Sequence, residues 1–153
     1  MKGDDLPPDN HIVRYVKPSM IQEDGTVDGS DFRLRPHRPD ENSLSVNWLE
    51  ILGSEKLHQL KEVRRLCSQR LSLKVNGKFA EMNVGTIMDE VSTELNTIRI
   101  THDPLEAEQD LEADPSHSQI SGLPPGDSDQ AMLVGDLIAE CVVDLHSPLN
   151  DDT

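Results

Sequence analysis

The chain has 153 residues, a net charge of −15, 35% hydrophobic residues and only 3% aromatic ones. That length suits one domain able to bury about two-thirds of its unfolded surface, and the thin hydrophobic content leaves much of the chain polar. The charge disfavours non-specific binding of nucleic-acid backbones, and the longest apolar run, residues 131–143, is broken by Gly135, Asp136 and Glu140 and excludes a membrane span.

The charge is strongly polarised. All 14 Lys and Arg lie at or before Arg99, whereas the residues from Ile100 onward carry 13 acidic side chains and no basic one. A nearly neutral body therefore precedes an acidic C-terminal third. Such a third attracts either another protein with a basic surface or the body's own basic patch. The N-terminus has no apolar h-region, so no signal peptide is expected. Cys67 and Cys141 both fall on apolar stripes, and two buried, reduced thiols point to a cytoplasmic protein.

Residues 1–10, with four charges and two prolines, read as a flexible N-terminal arm. His11-Ile12-Val13-Arg14-Tyr15-Val16 is β-branched and aromatic and ends at Lys17-Pro18, which predicts a strand. Asp24-Gly25 and Asp28-Gly29 predict turns. The run Asp31-Phe32-Arg33-Leu34-Arg35 alternates, predicting a half-buried strand with Arg33 and Arg35 on its open face. Leu44-Ser45-Val46-Asn47-Trp48-Leu49-Glu50 predicts the next strand, with Leu44, Val46 and Trp48 towards the core and Ser45, Asn47 and Leu49 opposite. Residues 11–50 hold the only Trp, the only Tyr and one of the two Phe, together with five basic residues. Core and site are both expected there.

Gly53-Ser54 reads as a break and cap before a helix whose stripe is Leu57, Leu60, Val63 and Cys67, with a basic C-terminal half. Asn76-Gly77 between residues 71–75 and 78–84 predicts a hairpin with a type I′ turn. A short helix from Thr86 and a strand at residues 97–101 complete the body, residues 11–101. Residues 102–130 read as an acidic loop. Residues 131–146 predict a C-terminal amphipathic helix of the same domain, with Asp136, Glu140 and Asp144 on its wet face.

Several chemistries lack support. An EF-hand register from Asp24 places Arg35 where a bidentate Glu must close the site, so no metal is expected there. The row of Asp136, Glu140 and Asp144 has no histidine at a matching offset. There is no P-loop, no Gly-x-Gly-x-x-Gly and no Gly-x-Ser-x-Gly, and no cofactor is implied. Ser116-His117-Ser118 sets hydroxyls beside an imidazole, but sequence neighbours do not face each other as a nucleophile and base must. What remains is a basic face of Arg33 and Arg35 with His37, Arg14 and Asn47, suited to capturing phosphate or carboxylate. The plainer account is that these arginines pair with the chain's own acids.

The segments Arg14-Tyr15-Val16-Lys17-Pro18-Ser19, Phe32-Arg33-Leu34-Arg35 and Leu44-Ser45-Val46-Asn47-Trp48-Leu49-Glu50 resemble an uncharacterised family of small bacterial proteins. Asp114-Pro115-Ser116-His117-Ser118 and Val134-Gly135-Asp136-Leu137-Ile138-Ala139-Glu140 are similar too. The resemblance covers most of the chain and implies no activity or functional residue.

The expected fold is one α+β domain, with a mainly antiparallel sheet of about five or six strands and two or three helices. The expected function is a non-catalytic interaction or accessory role for the acidic third. The alternative is a small enzyme acting on a nucleotide or other phosphorylated substrate through the Arg/His face.

Overall fold

A computed structural model describes residues 2–38 and 40–149. Six strands form one antiparallel sheet: β1 (His11–Val16), β2 (Ser43–Trp48), β3 (Lys78–Asn83), β4 (Arg99–His102), β5 (His117–Ser121) and β6 (Val142–His146). Their order across the sheet is β4-β5-β2-β1-β3-β6. Helix α1 (Lys56–Ser68) covers one face, and α2 (Val84–Ser92) and α3 (Asp129–Glu140) cover the other. The α+β class with a six-stranded antiparallel sheet agrees with the sequence reading.

Strand alternation sets the two cores. Ile12, Val16, Leu44, Val46, Ala80 and Met82 pack with α2 and α3, while Val13, Leu49 and Phe79 pack with Leu60, Val63 and Cys67 of α1. Trp48 lies at the rim of the larger core, its Nε1–H donating to Asn10 Oδ1 at 2.8 Å and its ring edge-on to His102. Burying each such side chain is worth about 1.5–3 kcal/mol, so both layers are needed to hold a sheet this polar.

Several sequence expectations are corrected. Residues 31–35 are not a strand. Asp28 accepts from Ser30 N–H and caps a 3-10 turn, Gly29–Phe32, after which the chain runs extended without a ladder partner. Gly29 and Gly135 meet at the crossing with α3, where a Cβ on Gly135 would lie 2.6 Å from the Gly29 carbonyl oxygen. Close helix approach, rather than a sheet, therefore decides this segment.

The hairpin at Asn76-Gly77 also fails to form. β3 already has β1 and β6 as neighbours, so residues 71–75 find no free edge, and Leu71 and Val75 stay exposed. Gly77 has an ordinary φ, and the glycine is required because the Tyr15 ring would meet a Cβ within 3 Å.

The N-cap of α1 falls on Glu55 rather than Ser54, and it makes no side-chain cap bond. α3 ends at Glu140, and the β-branched pair Val142-Val143 starts β6, so the expected helix over 131–146 is a helix followed by a strand. The row of Asp136, Glu140 and Asp144 is broken accordingly.

The stretch 102–130 contains β5, between β2 and β4. The expected flexible arm is docked along β4 over residues 3–6: Gly3 N–H donates to His102 O, Leu6 N–H donates to Ile100 O, and Leu6 is buried.

Candidate functional site: a basic cleft between β1 and β2

β1 pairs with β2 only at Ile12↔Trp48 and Val13↔Asn47, although β1 pairs with β3 along its whole length. Beyond Val13 the two central strands part, and the opening forms a cleft of about 660 Å³ that reaches both layers. Arg14 spans it. Its Nε donates to Asp31 O and to Asp31 Oδ2, both at 3.1 Å, and its Nη1 donates to Ser45 O at 2.8 Å. Burial pushes the Asp31 carboxyl up from its ordinary value, and the neighbouring Arg14 only partly offsets that.

The cleft collects Arg14, Lys17, Arg33, Arg35, Arg70 and Lys74, against Asp31, Glu41 and Asp114. Six basic against three acidic side chains leave a local surplus of three positive charges in a chain of net −15. Arg35 is held by Glu41, its Nη2 donating to Oε2 at 2.6 Å and its backbone N–H to Oε1 at 2.8 Å. Against the upward push of burial, these Arg35 bonds keep the Glu41 carboxyl below its ordinary value. Among the described residues, Lys17, Arg33 and Lys74 make no ion pair. Arg70 gives Nη2 to Glu112 O, while its shielded Nη1 has no partner.

At the inner end of the cleft Asn47 donates through Nδ2 to Asp114 Oδ2 at 3.1 Å and to Ser116 Oγ at 2.9 Å. Asp114 Oδ1 also accepts from Ser116 N–H and Oγ–H, so this buried carboxylate is fully bonded. The Cys67 thiol donates to Asn47 Oδ1, and burial, reinforced by Asp114, pushes its pKa up to about 12. It stays protonated and is no nucleophile.

Ser45 and His117 sit diagonally across the β2–β5 pair, since Ser45 opposes Gln119 and Asn47 opposes His117. His117 Nε2 lies 3.1 Å from Ser45 Oγ, and Nδ1 lies 2.8 Å from the backbone carbonyl oxygen of Asp103. A carbonyl oxygen only accepts, so Nδ1 carries a proton and the neutral ring offers its Nε2 lone pair to the Ser45 hydroxyl. Asp103 Oδ2, 3.5 Å from Nδ1, adds a negative charge behind the ring.

Of the residues named from the sequence, Arg14, Arg33, Arg35 and Asn47 line this cleft. His37 does not. It lines a separate depression with Arg38 and Asp40, and His117 is the histidine of the cleft. Lys17, Arg70 and Lys74 were not placed in this face, and His117 was weighed only against its neighbours Ser116 and Ser118, whereas its partner is Ser45 across the β2–β5 pair. Arg70 reads as the basic end of a helix, and His117 starts a strand flanked by buried serines, Ser116 before it and Ser118 within it, in place of a hydrophobic alternation.

The other charged centre lies under α1. Among the described residues, the one group that could hold a metal ion is Glu81, Asp144 and His146. There the Lys56 ammonium sits 2.5 Å from Glu81 Oε2, and His146 Nε2–H donates to Oε1 at 2.7 Å. Both carboxylate oxygens are thus occupied, which makes the group a charge network. The acidic segment engages α1 as well: Glu112 pairs with Arg65 and accepts from Gln69. No helix among the described residues is long and apolar enough to cross a membrane.

No family model, curated protein or solved structure matches the chain. The function has to be argued from the site itself.

Proposed function

We propose that the β1–β2 cleft binds a small phosphorylated ligand. The observation that carries this reading is the surplus of positive charge there, with Lys17, Arg33 and Lys74 making no ion pair among the described residues, on a chain that is otherwise strongly acidic. Unpaired cations lining a concave site are a standing attraction for an anion, and guanidinium forks match phosphate oxygens in pairs. The cleft volume falls in the range of small-molecule sites, and the acidic exterior disfavours a polyanion. The two free, buried cysteines fit a reducing compartment.

Calorimetric titration with inorganic phosphate and pyrophosphate tests this. Saturable binding that weakens with added salt is expected, and Arg33→Ala should lower the affinity about tenfold or more, the usual worth of a charge-assisted bond. An Arg33→Ala protein that binds as well as the wild type, or the absence of saturable binding in the wild type, contradicts the reading.

A second reading, an interaction role for the acidic third, has one observation in its favour. Glu106, Glu108 and Asp110 are exposed around a small turn, closed by the Glu108↔Leu111 bridge, and among the described residues none of the three has a cationic partner. A partner with a basic surface would meet them first. Reversing these three charges to Lys should abolish binding of a basic test peptide if the reading is right. Unchanged, salt-sensitive binding would place the contact elsewhere.

A further inference from the structure

We propose that Ser45 and His117 are the nucleophile and general base of a phosphate-ester hydrolysis carried out in this cleft, a step that rests on reading the cleft as an anion site. The geometry has the three parts such chemistry needs. The Ser45 side chain is exposed to the cleft, its hydroxyl lies 3.1 Å from His117 Nε2, and the ring is oriented from behind through Nδ1 by Asp103. Strand β2 places the hydroxyl beside Arg14, whose Nη1 binds the carbonyl oxygen of Ser45 itself. The cleft that the hydroxyl faces is lined mainly by guanidinium and ammonium groups. These suit the spread charge of equatorial phosphoryl oxygens, which is why a phosphate ester is preferred to a carboxylic one.

The step balances with water as the only co-reactant. The Ser45 hydroxyl proton passes to His117 Nε2 as Oγ forms a bond to phosphorus. The bond from phosphorus to the leaving oxygen breaks, and that oxygen takes the proton from Nε2, leaving as an alcohol. Water then attacks the phosphoserine and gives a proton to Nε2, and the Oγ–P bond breaks. The serine oxygen recovers the proton from Nε2, and inorganic phosphate is released. Arg14 holds the phosphoryl oxygens, and Lys17 and Arg33 bind the remainder of the anion. Asp103 is a positioning residue, because it acts through the ring of His117.

The plainer account is a surface hydroxyl that happens to satisfy a histidine. The two differ in reactivity, which a fluorophosphonate reports without knowledge of the substrate, because fluoride leaves as Oγ attacks phosphorus. Full-length protein is incubated with the probe and the adduct is located by mass spectrometry. The expected result is a single adduct on Ser45, formed about a hundredfold more slowly in His117→Ala, the usual worth of a positioned base. Inorganic phosphate at about ten times its dissociation constant should slow labelling roughly tenfold, because the anion and the hydroxyl share the cleft. Ser45→Ala should lose the adduct while keeping its phosphate affinity, which also confirms that it is folded.

No adduct on Ser45, or equal labelling of the wild type and His117→Ala, overturns the proposal. If phosphate still binds in that case, only the chemistry is lost. If phosphate does not bind either, the anion-site reading falls with it.

Discussion

A chain ended after Thr101 should not fold. The removed third contains β5, which pairs with β2 over five positions and, among the described residues, is the strand that links β4 to the rest of the sheet. It also contains α3, whose Val134 and Ile138 lie in the larger core with Ile120 of β5 and Cys141. At about 1.5–3 kcal/mol for each large buried side chain, these losses alone approach the total stability of an ordinary domain, about 5–15 kcal/mol. Circular dichroism and thermal melting of the shortened chain should therefore lack a cooperative transition. A cooperative melt with native-like sheet signal would mean that the acidic third is an appendage, as its charge alone suggests. The structure instead makes it part of the sheet, with the 106–110 turn exposed.

The second large effect concerns Glu81. Its side chain is 7% exposed and lies between Lys56 and His146. The His146 bond, working against burial and helped by Lys56, holds its pKa down to about 2 from an ordinary 4.5. The folded value lies below the unfolded one, so the stabilisation is complete above about pH 4.5 and is lost as pH falls towards 2. A gap of that size corresponds to about 3 kcal/mol at neutral pH. Glu81→Gln keeps the shape and removes the charge. Urea unfolding should show it about 3 kcal/mol less stable at pH 7, with the difference from wild type shrinking steadily below pH 4. A difference that stays constant down to pH 3 would show that the carboxylate charge is not what the network uses.

The sequence was most legible where hydrophobic spacing and geometry agree. β1, β2, α1 and α2 follow from β-branched runs and from stripes such as Leu60, Val63 and Cys67, although Leu57, expected in the same stripe, is exposed. It was least legible where a buried position is not hydrophobic. β5 presents Ser118 and Ile120 inward, next to the buried Ser116 of the preceding turn, so a strand central to the site resembles a polar loop. Glycine and turn signals were ambiguous for the same kind of reason. Asn76-Gly77 and Asp28-Gly29 both suit turns, but Gly77 answers to the Tyr15 ring and Gly29 to α3. The β6 segment kept a helical apolar spacing through Leu145, and only the open edge of β3 decides for a strand.

The candidate site was half legible. Arg14, Arg33, Arg35 and Asn47 share a cleft, although the strand invoked to bring the arginines together does not exist. The splaying of β1 from β2 does that work instead, and no local pattern encodes it. His117, Arg70 and Lys74 reach the cleft from β5, from the end of α1 and from the segment beyond it. Those distances along the chain close only in the folded state.

The central claim is that this opening in the sheet is an anion site, and the most direct test is residue-resolved. Amide and arginine side-chain resonances are followed by NMR as inorganic phosphate is added. The claim predicts saturable shifts concentrated at Arg14, Lys17, Arg33, Ser45 and Lys74, with the exposed 106–110 turn and the His37 depression unmoved. Shifts that never saturate, or that centre on the His37 depression instead of the cleft, would contradict it.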